Sequence, residues 1–268
     1  MRPLSISEAW AGSMARLRSD GRLYGAVGLA FFALPDLVYS VAGASSMASA
    51  QRDPGSFALL LLMLLLGMVG QLALARLALG GGASVGEAIR HAARRIPALI
   101  GAGFLVALPL MLPLVPILAT LQGVTPNSVP SGGQTLAALA FLLWSVLVVW
   151  VAARLMLLSP VVTSEPLGPL AALRRTLALT KGRALRLFGL IVAFLIVAAV
   201  ASIAISSAVG VVVVLALGRP EPWSVSALLL ALVAALVQAA ITVLFVLLIA
   251  RIYAQLAAPE VGVPSSGT

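Results

Sequence analysis

The sequence predicts an all-α integral membrane protein with six transmembrane helices. Hydrophobic residues fill 62% of its 268 positions and charged residues only 9%, against about 25% charged in a soluble domain. The apolar residues form continuous runs, not the alternating pattern of a barrel strand. The basic residues sit between the runs, almost all on one side. A water-soluble fold of this length lacks the polar surface to cover so many apolar side chains. With lipid as solvent, each backbone N–H and C=O must pair within the chain, and helices follow.

Six segments can cross a hydrocarbon core of about 30 Å at about 1.5 Å per residue. They are 23–44, 57–79, 98–121, 135–158, 187–217 and 225–250, within one domain over 1–258; residues 259–268 read as a short flexible tail. The first span holds Asp36 after Pro35. Residues 23–39 with Ala42-Gly43-Ala44 also resemble a secretory signal and its cleavage site. The charged stretch before them is long for a signal and belongs to the repeat described below, so retention is expected. Gly80-Gly81-Gly82 follows the second span as a flexible connection. The third span begins at Pro97 and contains Pro109, Pro113 and Pro116. These prolines remove helix hydrogen bonds, and either shape the helix or break it around a solute site. The fifth span is long, and is expected to tilt, project or bend near Ser206, Ser207 and Gly210.

Orientation follows from charge. With both ends inside, the inner side carries Arg2, Arg16, Arg18, Arg22, Arg76, Arg90, Arg94, Arg95, Arg154, Arg174, Arg175, Lys181, Arg183, Arg186 and Arg251. Only Arg52 and Arg219 fall outside. The positive-inside rule therefore places both termini in the cytoplasm. Trp223 stands where the sixth span meets the outer headgroups.

The chain also reads as three hairpins, each preceded by an amphipathic interfacial helix. Ser5-Ile6-Ser7-Glu8-Ala9 echoes Ser84-Val85-Gly86-Glu87-Ala88, and both fit the Ser-x-x-Glu capping box. In the second copy Val85, Ile89, Ala92 and Ile96 form the apolar face, with Glu87, Arg90, Arg94 and Arg95 mostly opposite. The third copy starts at Gly168-Pro169 without the box. Leu170, Leu173 and Leu177 give its stripe, Arg174, Arg175 and Lys181 its basic side, and Gly182 interrupts it. The even-numbered spans end alike, in Ala75-Arg76-Leu77, Ala153-Arg154-Leu155 and Ala250-Arg251-Ile252.

Few residue types suit chemistry. With no Cys and only His91, thiolate sites and multi-His metal sites are excluded. His91 sits on the polar face of a surface helix and reads as solvated. Glu165 has no partner nearby in sequence for acid–base work. No phosphate-cradling loop, metal-ligand spacing or nucleophile motif is present, so no cofactor and no catalytic residue is expected. Arg76, Arg154 and Arg251 either snorkel to headgroups or converge on phosphate. Asp36, costly inside a membrane, either serves a proton or cation, pairs with Gln71 or Gln238, or is hydrated near the outer interface.

The stretch Arg154-Leu155-Met156-Leu157-Leu158-Ser159-Pro160, then Glu165-Pro166-Leu167-Gly168-Pro169, then Ala172-Leu173-Arg174-Arg175-Thr176-Leu177-Ala178-Leu179-Thr180-Lys181-Gly182-Arg183, resembles the membrane domain of glycerophosphoryl diester phosphodiesterases. Thr176 stands where that family has Ser. The resemblance implies a stand-alone bacterial inner-membrane module, because the family's chemistry belongs to a separate barrel of about 250 residues that this chain does not contain. It carries over no catalytic residue. Glu165, Gly168, Pro169 and Gly182 read as a structural elbow setting the third surface helix.

The function expected is a noncatalytic inner-membrane module that organises lipid or a partner protein at the cytoplasmic face. Its partners would be anionic lipid and a membrane or cytoplasmic protein, not nucleic acid. Arg76, Arg154, Arg251, Arg174, Arg175 and Lys181 are the candidate headgroup contacts. A small-solute or lipid permease is the alternative, and an enzyme acting on phosphodiester lipids a further one. Tags at the two termini should react with impermeant reagents only from the cytoplasmic side; periplasmic labelling of either would overturn the orientation.

Overall fold

The structure, a computed structural model, describes residues 6–41, 54–80, 84–122, 131–221 and 223–257. Ser5, Ala42-Gly43-Ala44, Gly81, Gly82 and the tail 259–268 lie outside the described residues. The helices are α1 (Ile6–Gly28), a π-helical turn (Leu29–Ala33), α2 (Leu34–Val41), α3 (Pro54–Leu79), α4 (Val85–Leu121), α5 (Gly132–Leu155), α6 (Leu158–Ser164), α7 (Pro169–Thr180), α8 (Ala184–Leu217) and α9 (Val225–Ala257). Among the described residues there is no strand.

Six helical stretches are long and apolar enough to cross a membrane, from Ser7–Val41 to Val225–Ala257. The shortest has 26 residues, which at about 1.5 Å each exceeds a core of about 30 Å. Many of their large side chains face outward. Leu215 is 82% exposed and Leu112 75%, which suits a lipid solvent and not water.

The junctions between interfacial segments and spans take three forms. In α1 the backbone kinks at Asp20 (φ −122°, ψ 25°), close to the boundary expected after Arg22. Ser19 Oγ donates to Asp20 Oδ2 at 3.0 Å beside the kink. In α4 there is no break. One helix runs from Val85 through Pro97, Pro109, Pro113 and Pro116 to Leu121, so of the two readings the prolines shape the helix and do not break it. Each proline forfeits one N–H but its φ remains helical. Trp144 Nε1 on α5 donates to Leu110 O at 3.0 Å, so a carbonyl of this stretch serves packing. The third segment, α7, is separate. Gly182 at φ +77° breaks it from α8, a left-handed conformation that a side chain would strain. Helix α8 itself continues through Ser206, Ser207 and Gly210.

The described residues group into two compact units. One comprises Met1–Ile96 and Val192–Thr268, the other Pro97–Ile191. In the first, small residues let helices approach, as they do in lipid where no hydrophobic force draws helices together. A methyl at Gly28 would lie 2.8 Å from Val243 Cγ2, and one at Gly70 2.5 Å from Phe31 Cβ. Ala33, Ala235 and Ala239 form a buried cluster with Phe32 and Leu37 against it. In the second unit α6 is a helix the sequence did not announce. Its residues Leu158–Thr163 are all buried.

The three amphipathic segments also bury part of their surface within the protein. Leu170 and Leu177 are 53% and 42% exposed, and Val85, Ile89 and Ile96 are only half-buried. Besides Leu173 and Leu179 of α7, the buried positions include small residues at matching places. They fall four and eight residues after Ser5, Ser84 and Gly168: Ala9 and Ser13, Ala88 and Ala92, Ala172 and Thr176. The hydroxyls among them bond to their own helix. Ser13 Oγ donates to Ala9 O and Thr176 Oγ1 to Ala172 O, both at 2.8 Å. A satisfied hydroxyl packs like an apolar group. The equivalence of these positions is what a threefold repeat requires.

Gly70→Val should lower the thermal midpoint in detergent by overpacking worth about 1–3 kcal/mol. Gly67→Ala, on the same helix with nothing within 4 Å of the added methyl, should leave it unchanged. Equal midpoints for both would show that α3 does not pack through Gly70.

Candidate functional site

The elbow residues come together in the unit Pro97–Ile191. Helix α6 ends with Glu165 extended (φ −110°, ψ 132°). Gly168 caps α7 in an extended conformation and Pro169 follows at its first turn, where a missing N–H costs least. Pro169 seats against Gly101 of α4, where a methyl would lie 2.8 Å from Pro169 Cγ. Arg175 Nε donates to Glu165 Oε1 at 3.2 Å. Both side chains are about one-quarter exposed, so this pair fixes geometry more than it adds stability. Arg175, one of the candidate headgroup contacts, is thereby tied to the elbow. Arg174 and Lys181 remain exposed on the outer side of α7.

Beside the elbow runs a groove of about 360 Å³. Its walls are Val106 of α4, Trp150, Val151, Arg154 and Leu155 of α5, and Leu173 and Leu177 of α7. Arg154 is the one charged group in this wall. Its guanidinium carbon lies 5.7 Å from the Trp150 ring centroid, within cation–π range. Trp150 in turn rests 5.8 Å from Phe188. Among the described residues no carboxylate pairs with Arg154; the ion pair found there is Arg175–Glu165. A second groove of about 250 Å³ shares Val106 and Leu155 with the first, and continues along Ala102, Gly103, Ala107, Leu110, Met111, Trp144, Val148 and Leu158. It is apolar throughout. The two together form an apolar track with a guanidinium at one end.

Arg76 and Arg251 belong to the other unit. In all three Ala-Arg triplets the Ala is buried, at 0–1% exposure, and the Arg half-buried. Arg251 packs over Gly12, with its Nε 3.6 Å from where a methyl there would stand. His91 is half-buried and has an interaction partner.

The same unit holds a cavity of about 470 Å³ lined by Phe31, Phe32, Pro35, Asp36, Tyr39, Leu60, Met63, Leu64, Gly67, Gln238 and Thr242. The structure thus brings Asp36 to the same cavity as Gln238, but not Gln71. The π-helical turn immediately precedes this segment, as such turns often do at functional sites. Tyr39, Thr242 and the aromatic pair were not singled out in the sequence, because their proximity depends on how α2, α3 and α9 meet. Among the described residues no cluster of three or more His, Cys, Asp or Glu exists.

By fold, the chain is a polytopic helical membrane protein. Residues 4–256 match the family described as "Domain of unknown function (DUF7847)", and the chain belongs to that family. Neither a curated protein nor a solved structure matches it.

Ser159 Oγ is buried and makes no hydrogen bond among the described residues. Ser159→Ala removes a desolvated hydroxyl without breaking a contact. It should leave thermal stability equal or raise it by up to about 1 kcal/mol; a clear loss would show that the hydroxyl has a partner.

Proposed function

We propose that this chain is a noncatalytic module of the bacterial inner membrane, with both termini cytoplasmic, that holds anionic phospholipid at the cytoplasmic face. The observation that carries this reading is Arg154, a guanidinium with no carboxylate partner among the described residues, set in an otherwise apolar groove. An acyl chain suits the track along α4 and α5. A phosphate suits the Arg154 fork, which matches its oxygens bidentately. Exposed Arg174 and Lys181 on α7 add attraction for an anionic surface, while exposed Leu170 and Leu177 offer apolar area to the same membrane. The resemblance to glycerophosphoryl diester phosphodiesterase membrane domains supports a membrane role and assigns no chemistry. A protein partner at the same face would use the same basic residues.

A second reading, a permease for a small solute or lipid, is favoured by the Asp36 cavity of the other unit.

Native mass spectrometry of the protein released from bacterial membrane tests the first reading. Arg154→Gln should lower retained phosphatidylglycerol or cardiolipin about tenfold, the scale of one charge-assisted bidentate contact. Arg174→Glu should lower it less, and Arg175→Gln least, because Arg175 is held by Glu165. Unchanged lipid recovery in Arg154→Gln would overturn the proposal.

A further inference from the structure

The cavity around Asp36 has a chemistry distinct from that of the lipid groove. Its one charged side chain is a carboxylate. Among the described residues Asp36 has no ion pair, and only its backbone carbonyl takes a hydrogen bond, from Ser40. Around it stand neutral oxygens. Thr242 Oγ1 spends its proton on Gln238 O at 2.9 Å, so toward a ligand it can only accept. Gln238 Oε1 and Tyr39 Oη are further acceptors. The remaining wall is apolar and aromatic, with Phe31 and Phe32 on one side. Gln238 lies 13 residues from Arg251 on α9, about 20 Å along the helix. Asp36, itself exposed, and Gln238 both lie within helices long and apolar enough to cross a membrane, where a bare carboxylate is costly.

We infer that this cavity binds a monovalent organic cation with an apolar body, such as a protonated amine or quaternary ammonium. One carboxylate matches one positive charge. Acceptor oxygens and aromatic faces both favour a cation, and about 470 Å³ is the size of a small-molecule site, not of a bare ion. A divalent cation would want several carboxylates, and the lining holds one. The inference rests on neither the lipid groove nor transport. It concerns binding alone.

The test uses full-length protein in nanodiscs of zwitterionic phosphatidylcholine, with tritiated tetraphenylphosphonium as probe and empty nanodiscs as the blank. Saturable binding at one site per chain is expected. Benzyltrimethylammonium should displace the probe, and its uncharged carbon isostere neopentylbenzene should not. Asp36→Asn should weaken binding at least tenfold. Gly67→Leu puts a side chain into the cavity where nothing stands within 4 Å of its Cβ, so it should block binding while leaving helicity and elution as in the parent. Lipid retention by Arg154 is measured in parallel and should be unaffected by either variant, which separates failure here from failure of the groove. Binding no greater than in empty nanodiscs, equal affinity in Asp36→Asn, or equal displacement by the neutral isostere would each overturn the inference.

Discussion

A peptide group inside hydrocarbon has no water to bond, and the rest of this structure answers to that constraint. Each long apolar run becomes a helix because a helix pairs its own N–H and C=O groups. The constraint reaches the side chains as well. Ser13, Thr163, Thr176 and Thr180 are buried, and each hydroxyl donates to a carbonyl of its own helix. Capping boxes appear where the helices begin. Ser84 with Glu87, and Ser131 with Gln134, reciprocally satisfy backbone and side chain. Even the four prolines of α4 leave it a continuous helix.

With backbone pairing settled within each helix, association depends on close contact. Leu on lipid and Leu on Leu differ little, so large apolar residues do not select a docking face. Small residues do. Gly28 meets Val243, Gly70 meets the Phe31–Phe32 pair, and Gly101 meets Pro169, each too close for a methyl. Ala9, Ala88 and Ala172 carry the same role into the amphipathic segments. In α7 Leu170 and Leu177 remain exposed, while Ala172, Leu173, Thr176, Leu179 and Thr180 turn inward.

Charged groups follow from the same economy. Glu165 and Arg175 satisfy one another at the elbow. Arg154 and Asp36 do not have such partners among the described residues, and each stands in a cavity with otherwise neutral walls. The sequence pointed to both residues, from the cost of a charge among apolar neighbours. Their surroundings were out of its reach. Val106, Trp150 and Leu173 come from three helices, as do Tyr39, Gly67 and Gln238. The second capping box was within reach, since Ser131-x-x-Gln134 is the Gln form of the Ser-x-x-Glu pattern found at Ser84.

Composition and run length alone determined that six long apolar helices form, because transfer to hydrocarbon is a property of each segment by itself. Local rules likewise gave the Ser84–Glu87 cap and the break at Gly182. Tertiary structure decided which face of each helix is buried, that α4 continues where a surface helix and a span were expected, and that Leu158–Ser164 forms its own buried helix. It also decided what surrounds Arg154 and Asp36. Those outcomes depend on where one helix comes close enough to another for a missing side chain to matter, and no single segment carries that information.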